Sequence, residues 1–309
     1  MLKPQNTKSR TAWTLEGLWH FKLDENDIGV REKWFESKLQ DARMVPSSSS
    51  FNELFLSADI KNYFGPFWYQ KVVKIPYLKE GDHIVLYFES VTHFCDVYID
   101  DKHVLSHCGG YLPFEVDLSE YVSPESFARL TIRIDNTLSF ETIPPGHVTE
   151  TSCGKKLEYW HDFFNYAGIH RPVWLYTRPE DFLKDITVYS DSSGNIRFSA
   201  DATSGSVIMS LYDKEGRLVV SEVKDKAHID NVILWQPGNA YLYEARFSLL
   251  DNDGKACDSY SVRTGFRTVE ARGNKLFLNG HEIYLKGFGM HEDIGIIGKG
   301  HNDAYMVHD

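Results

Sequence analysis

Residues 83–105 read HIVLYFESVTHFCDVYIDDKHVL, and their pattern is typical of antiparallel β-structure. Residues 83–91 form one alternating run of apolar side chains, and residues 95–105 form a second run. The second run is interrupted by Asp100 and Asp101, and aspartate tolerates turn conformations. We therefore predict a strand followed by a hairpin that folds at these two residues.

The same pattern extends outward from this segment. Residues 128–136, ARLTIRIDN, form another alternating run. Helical periodicity is nearly absent, and the helix-like stretch at residues 31–39 is short and stops before Pro46. Short strands bounded by turn residues are typical of sandwiches and barrels. The sequence therefore predicts an all-β fold, with a first domain over residues 1–180.

A second β unit begins near Lys184, where the alternating pattern starts again. Its runs turn at Gly194, Gly216 and Gly254. Three glycine-containing hairpins within about 85 residues favour an immunoglobulin-like sandwich. The Cys, Trp, Cys spacing of antibody domains is missing, so the prediction of this sandwich over residues 181–271 depends on strand number and length.

Residues 272–309 start a third unit. The Asn279-Gly280 pair is the strongest short-range hairpin signal in the chain. The segment is too short for a core of its own, so we expect it to be the opening of a further domain. An unpaired apolar strand here predicts disorder, exchange between chains or aggregation.

Composition and charge exclude several function classes. The 309 residues are 42% hydrophobic and 25% charged, as in soluble globular proteins. The net charge of −11 gives no support for binding to nucleic acid or to an anionic membrane. The N-terminal residues lack the apolar run of a secretory signal, and no segment approaches the roughly 18 apolar residues of a membrane span. We therefore expect a cytoplasmic protein.

The four cysteines, Cys95, Cys108, Cys153 and Cys257, follow no metal-binding spacing. A long cytoplasmic chain gives them no disulfide framework. We interpret them as buried free thiols.

An irregular segment rich in aromatic residues spans residues 136–171. Long irregular stretches in compact domains are usually functional or disordered, and the apolar surface here argues against disorder. Within it, the Asp162 carboxylate could bind sugar hydroxyls while flanking rings cover the apolar face of a pyranose. The alternative, which the residues alone favour, is an aspartate that caps or pins a loop.

A second cluster of ionisable residues is His291-Glu292-Asp293, which follows a strand ending in glycines and suits a binding site. It is a weak metal motif, because adjacent side chains on an extended segment point in opposite directions. The serines at positions 47–50 lie in no GxSxG motif, and the chain has neither a phosphate-binding GxxxxGK[ST] loop nor a GxGxxG loop after a strand. We predict no metal and no cofactor.

A series of longer motifs carries a resemblance to a known family. In chain order they are LEGLW (15–19), NYFGPFWYQ (62–70), HCGGYLPFEVDL (107–118), TIPPG (142–146), HDFFNYAGIHRPVWLY (161–176), LWQPGNAYLY (234–243), GFRTVE (265–270) and LNGHEIYLKGFGMHED (278–293). The chain resembles the N-terminal half of glycoside hydrolase family 2, and within it the bacterial-type β-glucuronidases. The resemblance covers essentially the full length.

This resemblance implies a jelly-roll sugar-binding domain, an immunoglobulin-like sandwich and the first strand, at residues 283–288, of a truncated (β/α)8 TIM barrel. Asp162 matches the jelly-roll aspartate that reaches the sugar, which reverses the interpretation from the residues alone, and His291 would lie just past the barrel strand. Met290 replaces the basic residue expected before HED. Glu292 belongs to the HED motif and does not match a catalytic glutamate.

The implied reaction is retaining exo-hydrolysis of β-D-glucuronides to D-glucuronate and an alcohol by two glutamates. Both would lie beyond residue 309, so we expect the chain alone to be inactive, and the full-length protein to be a homo-oligomer. Two alternatives stay open, which are a non-catalytic carbohydrate-binding or assembly module and another family 2 activity such as β-galactosidase.

Overall fold

A computed structural model describes residues 1–152 and 154–308 of the chain. They divide into two compact units. The larger unit contains residues 13–152, 154–176 and 290–308, and the smaller unit contains residues 1–12 and 177–289. The regular secondary structure of both is almost wholly strand, so the predicted all-β class is confirmed.

The first part of the chain supplies most of the strands of the larger unit. They are β1 (Thr11–Thr14), β2 (Leu18–Leu23), β3 (Arg43–Pro46), β4 (Pro66–Lys74), β5 (His83–Phe88), β6 (Val91–Thr92), β7 (Phe94–Ile99), β8 (Lys102–Cys108), β9 (Phe114–Asp117), β10 (Phe127–Asp135), β11 (Gly146–Thr151), β12 (Gly154–Tyr159), β13 (Gly168–Ile169) and β14 (Val173–Arg178). Short helical turns occur at Trp34–Glu36, Phe51–Glu53 and Ala58–Lys61 (α1).

Two sheets form the sandwich of the larger unit. One has six strands in the order β3-β2-β4-β10-β7-β8, and the other has four in the order β1-β14-β5-β9. Strand β10 lies between β4 and β7 and pairs antiparallel with both. Its alternate residues Leu130, Ile132 and Ile134 are fully buried, as the alternating sequence predicts. The predicted hairpin is confirmed, because β7 and β8 are joined at Asp100 and Asp101.

The smaller unit is a second sandwich. Its strands are β15 (Leu183–Ser190), β16 (Asn195–Ala202), β17 (Ser206–Tyr212), β18 (Leu218–Val223), β19 (Lys226–His228), β20 (Tyr243–Leu250), β21 (Ala256–Thr264), β22 (Val269–Arg272), β23 (Lys275–Leu278) and β24 (His281–Ile283). They form sheets in the orders β15-β16-β19, β18-β17-β20-β21 and β22-β23-β24. The predicted turn glycines Gly194, Gly216 and Gly254 all have positive φ angles, a conformation that glycine adopts without steric cost.

A buried ion pair ties the N-terminal segment into the smaller unit. The Arg10 Nε donates to both carboxylate oxygens of Asp258, at 3.0 and 3.2 Å. Asp258 also accepts a hydrogen bond from the Leu183 backbone at 2.8 Å. The pair is therefore hydrogen-bonded as a buried charge must be.

The end of the chain returns to the larger unit. Strands β25 (Asp293–Ile294) and β26 (Gly298–Lys299) form a short hairpin, followed by helix α2 (Asp303–His308). Within the described ranges, no helix has the length and apolar character required to cross a bilayer.

Three local predictions need correction. Residues 136–171 are not irregular throughout, since β11 and β12 form a hairpin there. These strands leave most side chains at least partly exposed, so they lack the apolar alternation by which strands are recognised. The helix-like stretch at residues 31–39 contains only one 3-10 turn. The predicted barrel strand at residues 283–288 is not formed, since strand β24 ends at Ile283 and residues 284–292 pair with none of the described strands. A parallel barrel strand needs neighbouring strands for its hydrogen bonds.

The cysteines also differ from the prediction. Cys95 is buried, but Cys108 is exposed at the end of β8, an edge strand, and Cys257 is only partly buried. Cys153 lies outside the described residues. Of the cysteines that the structure describes, Cys95 alone is buried as predicted.

Candidate functional site

The larger unit brings Asp162 and His291 together. Asp162 lies in the aromatic segment after β12, and His291 lies just before β25. The Nε2 atom of His291 is 3.7 Å from Oδ2 of Asp162, and the two side chains are 47% and 88% exposed. Because the carboxylate is so accessible, it can accept hydrogen bonds from a ligand.

His291 is flanked by a second carboxylate. Its Nδ1 atom lies 3.9 Å from Oδ2 of Asp293, on the side away from the 3.7 Å contact with Asp162. An imidazole between two carboxylates is restricted in its orientation. Asp162, His291 and Asp293 together present two acceptors and one imidazole, which suits hydroxyl groups of a polar ligand.

His161 has a different role from its neighbour Asp162. Its ring stacks on Tyr159, with centroids 4.3 Å apart, and lies 4.2 Å from the Phe163 ring at an interplanar angle of 43°. Burial lowers its pKa, although the charge of Asp162 opposes that effect. Both ring nitrogens are buried without a hydrogen-bond partner among the described residues. His161 therefore serves as a neutral ring that orders the aromatic segment.

Lys299 supplies a positive charge beside this segment. Its Nζ atom lies 5.4 Å from the centroid of the Phe163 ring and 4.8 Å from that of Tyr111. The Phe163 and His291 rings in turn form a T-shaped contact, with centroids 6.1 Å apart and an interplanar angle of 86°. These contacts place an ammonium group on the same wall as His291, with its position fixed by cation–π contacts.

A buried hydrogen-bond network anchors the C-terminal side of the aromatic segment. The Asn165 Nδ2 donates to the Asn136 carbonyl at 3.1 Å, which leaves Oδ1 to accept from Nε2 of His93 at 2.8 Å. Burial lowers the pKa of His93 to about 4, against the opposing effect of its bond to Asn165. His93 is therefore neutral at pH 7 and holds Asn165, three residues after Asp162.

A second buried histidine anchors the segment that carries Lys299. The Ser50 hydroxyl donates to the Lys299 carbonyl at 2.7 Å, so Nε2 of His170 donates to the Ser50 oxygen at 3.1 Å. Nδ1 of His170 then accepts from the Thr92 hydroxyl at 2.7 Å. Full burial lowers the pKa of His170 well below its usual value, which keeps the ring neutral and this arrangement intact.

Glu292 is engaged by a strong ion pair. The Arg171 Nη2 donates to both of its carboxylate oxygens, at 2.6 and 2.7 Å. Arg171 also contacts Nδ1 of His301 at 3.4 Å. A carboxylate held in this way is a structural anchor, in keeping with its place outside the predicted catalytic residues.

Sequence reasoning placed Asp162 and His291 in the site but missed the residues around them. Arg171 shares the motif at residues 161–176 with Asp162, Tyr111 lies in the motif at residues 107–118, and Lys299 lies in none of the motifs, so no spacing rule connects the three to Asp162. Met290 is 63% exposed. Among the residues that the structure describes, no three His, Cys, Asp or Glu side chains are grouped as metal ligands are.

The chain is similar to known families and to known proteins. The model of the sugar binding domain of glycosyl hydrolases family 2 matches residues 13–179, and a second model of glycosyl hydrolases family 2 matches residues 183–267. A β-glucuronidase of Paenibacillus borealis is 37% identical over all of this chain and 54% of its own length.

The chain is also similar to solved structures of β-glucuronidases. The crystal structure of Ruminococcus gnavus β-glucuronidase is 33% identical and superimposes with a TM-score of 0.94, over 99% of this chain and 53% of that one. The same enzyme in complex with D-glucuronic acid is 34% identical, with a TM-score of 0.94, over 99% of this chain and 54% of that one. The chain thus spans about half the length of the relatives that it matches. The family model that covers residues 13–179 shows that this chain belongs to glycosyl hydrolase family 2.

Proposed function

We propose that this chain is the N-terminal part of a retaining exo-β-glucuronidase, in which it forms one wall of the sugar-binding site. The observation that carries the proposal is the exposed Asp162 carboxylate, held 3.7 Å from His291 on a wall of aromatic rings. The β-glucuronidase relatives, one of them solved with D-glucuronic acid, support the choice of substrate class.

In this proposal the side chains of the wall bind and orient the sugar. Asp162 accepts hydrogen bonds from sugar hydroxyls, and His291 contributes an imidazole beside it. Phe163 lies next to both and offers an apolar ring surface to the sugar. Lys299 attracts an anionic substrate from the same wall. The chain binds and positions the sugar, and groups outside the chain cleave the glycosidic bond.

The cleavage step needs two carboxyl groups about 5 to 5.5 Å apart, one as nucleophile and one as acid and base. We place both on a (β/α)8 barrel beyond residue 309, as the resemblance to family 2 implies. Glu292 is not one of them in this proposal, and it is already bound by Arg171. A barrel of this type needs about 250 residues, which this chain does not supply. We propose further that the whole protein is cytoplasmic and homo-oligomeric.

Hydrolysis by the whole protein tests the proposed activity. p-Nitrophenyl β-D-glucuronide should be cleaved with a kcat/KM at least about a hundredfold above that for the β-D-galactoside, because a site built for the carboxylate leaves charged groups unpaired with the neutral sugar. The 309-residue chain assayed alongside should release no p-nitrophenol. Preference for the galactoside would favour the alternative family 2 activity, and activity of the 309-residue chain alone would contradict the placement of the catalytic glutamates.

A further inference from the structure

A groove of about 560 Å³ lies in the larger unit, beside the aromatic segment. Strand β12 and Trp160 form one side of it, and the chain from Lys61 to Phe64 forms the other. Neither Asp162 nor His291 lines it. The groove is therefore a separate feature from the Asp162 site, although Tyr159 lines it and also stacks on His161, next to Asp162.

Trp160 gives this groove a flat and accessible aromatic surface. Its side chain is 63% exposed. The ring stacks nearly parallel to His147 and Phe140, with centroid distances of 5.2 and 5.7 Å and interplanar angles of 21° and 27°. These contacts fix the plane of the indole. A fixed, exposed indole is suited to stacking against the apolar face of a sugar ring.

Positive charge is concentrated in the same groove. Its lining includes Lys61, Lys155 and Lys156 against a single acidic residue, Glu158, although the chain as a whole has a net charge of −11. Lys61 is engaged by the Glu53 carboxylate at 2.7 Å and Lys156 lies 3.5 Å from Glu158. Lys155 is exposed and forms no ion pair within the described ranges. The groove thus offers the Lys155 ammonium group to an anionic ligand.

The floor of the groove is rigid before any ligand binds. The Asn52 side chain donates to the Lys61 carbonyl at 2.8 Å and accepts from the Ala167 backbone at 2.9 Å. Asn165 is held by His93 and by the Asn136 carbonyl. A surface that is already ordered loses little conformational entropy on binding.

We propose that this groove binds an acidic oligosaccharide. Trp160 stacks against one sugar ring, and Lys155 contacts the carboxylate of a neighbouring uronate residue. The site goes beyond the proposed hydrolysis, because it retains part of a longer acidic glycan next to the wall that holds the terminal sugar.

Calorimetric titration of the 309-residue chain with tetragalacturonate tests this proposal, with cellotetraose as the neutral ligand of equal length. Binding of the acidic ligand should weaken about tenfold in Trp160→Ala and in Lys155→Glu, since loss of one stacking or ionic contact is of that size. Lys102→Glu, which changes an exposed lysine on β8 of the same unit, should bind as the unchanged chain does.

Two further measurements complete the test. Thermal unfolding of each variant checks that the fold is retained. In the whole protein, Lys155→Glu should leave the kcat/KM for p-nitrophenyl β-D-glucuronide unchanged, because Lys155 lies outside the Asp162 wall, so the groove and that wall can fail independently. Equal affinity for the neutral ligand, absence of tetragalacturonate binding, or variants that bind as tightly as the unchanged chain would each overturn the proposal.

Discussion

The Nη2 atom of Arg171 donates to both oxygens of the Glu292 carboxylate, at 2.6 and 2.7 Å, and so ties the His291 turn to the sandwich. These side chains are 31% and 47% exposed, so solvent weakens the pair. Charge-assisted hydrogen bonds at these short distances are nevertheless stronger than neutral ones.

Glu292→Gln should therefore loosen residues 291–301 without unfolding the sandwich. We expect amide exchange there to become about fivefold faster, which corresponds to roughly 1 kcal/mol for a partly exposed pair. Hydrogen exchange with mass spectrometry measures this. The matched control is Glu36→Gln, which breaks the exposed Lys33–Glu36 pair and should leave residues 291–301 unaffected. Unchanged exchange in Glu292→Gln would show that the turn is held by other contacts.

The buried Arg10–Asp258 pair should dominate the stability of the smaller unit. Asp258→Asn leaves the Arg10 charge buried without a counter-ion, and we expect a loss of about 3 to 5 kcal/mol in the free energy of unfolding. Urea denaturation measures it, with the exposed Asp253→Asn as control. A loss below about 1 kcal/mol would contradict the role given to this pair.

The same pair predicts a pH dependence. Burial alone would raise the pKa of Asp258, but the hydrogen bond and charge of Arg10 outweigh it and lower that pKa. The stabilisation is complete above the ordinary carboxyl pKa of about 4 and is lost as the pH falls through the lower pKa of the folded state. The stability difference between the unchanged chain and Asp258→Asn should therefore shrink below pH 4.

His93 predicts a second pH effect, in the larger unit. Because burial lowers its pKa from 6.5 to about 4, its contribution to stability is complete above pH 6.5 and is lost as the pH falls towards 4. The full effect is on the order of 3 kcal/mol. The pH slope of the unfolding free energy should decrease in His93→Gln and persist in the exposed-site variant His103→Gln. A slope that is the same in both variants would contradict this assignment.

An exposed apolar stretch should promote self-association of the chain. Tyr284 and Phe288 are 86% and 88% exposed, in a segment that forms no strand. We expect the double variant Tyr284→Ser/Phe288→Ser to sediment as a smaller species than the unchanged chain at high concentration. The control is Val307→Ser, which changes an equally exposed residue, 87% accessible, on α2. Identical sedimentation of all three would contradict the prediction.

The strands and turns that the sequence predicts correctly are those that depend on neighbouring residues. Alternation in β10 and the Asp100-Asp101 turn depend on neighbouring residues, so both were found correctly. The β11–β12 hairpin was missed because its strands are polar and largely exposed. The Arg10–Asp258 contact joins residues 248 positions apart, and no local pattern indicates such a pair.

In the candidate site, too, some residues can be predicted from the sequence and others depend on the complete fold. Family resemblance pointed to Asp162 and His291, and the structure places them 3.7 Å apart. Arg171 and Lys299 reach that wall only through the packing of the sandwich, so their roles could not be read from the sequence. The neutral states of His93 and His170 likewise result from burial, which depends on the complete fold.

The central claim is that the Asp162 carboxylate contacts the sugar, and the kcat/KM of Asp162→Ala in the whole protein tests it most directly. Loss of a charged hydrogen-bond acceptor should lower kcat/KM for p-nitrophenyl β-D-glucuronide by at least about tenfold. Asp230→Ala is the matched control, because Asp230 is 92% exposed and lies 3.4 Å from His228. The account predicts a large loss in Asp162→Ala alone. Equal activity of the two variants would contradict it.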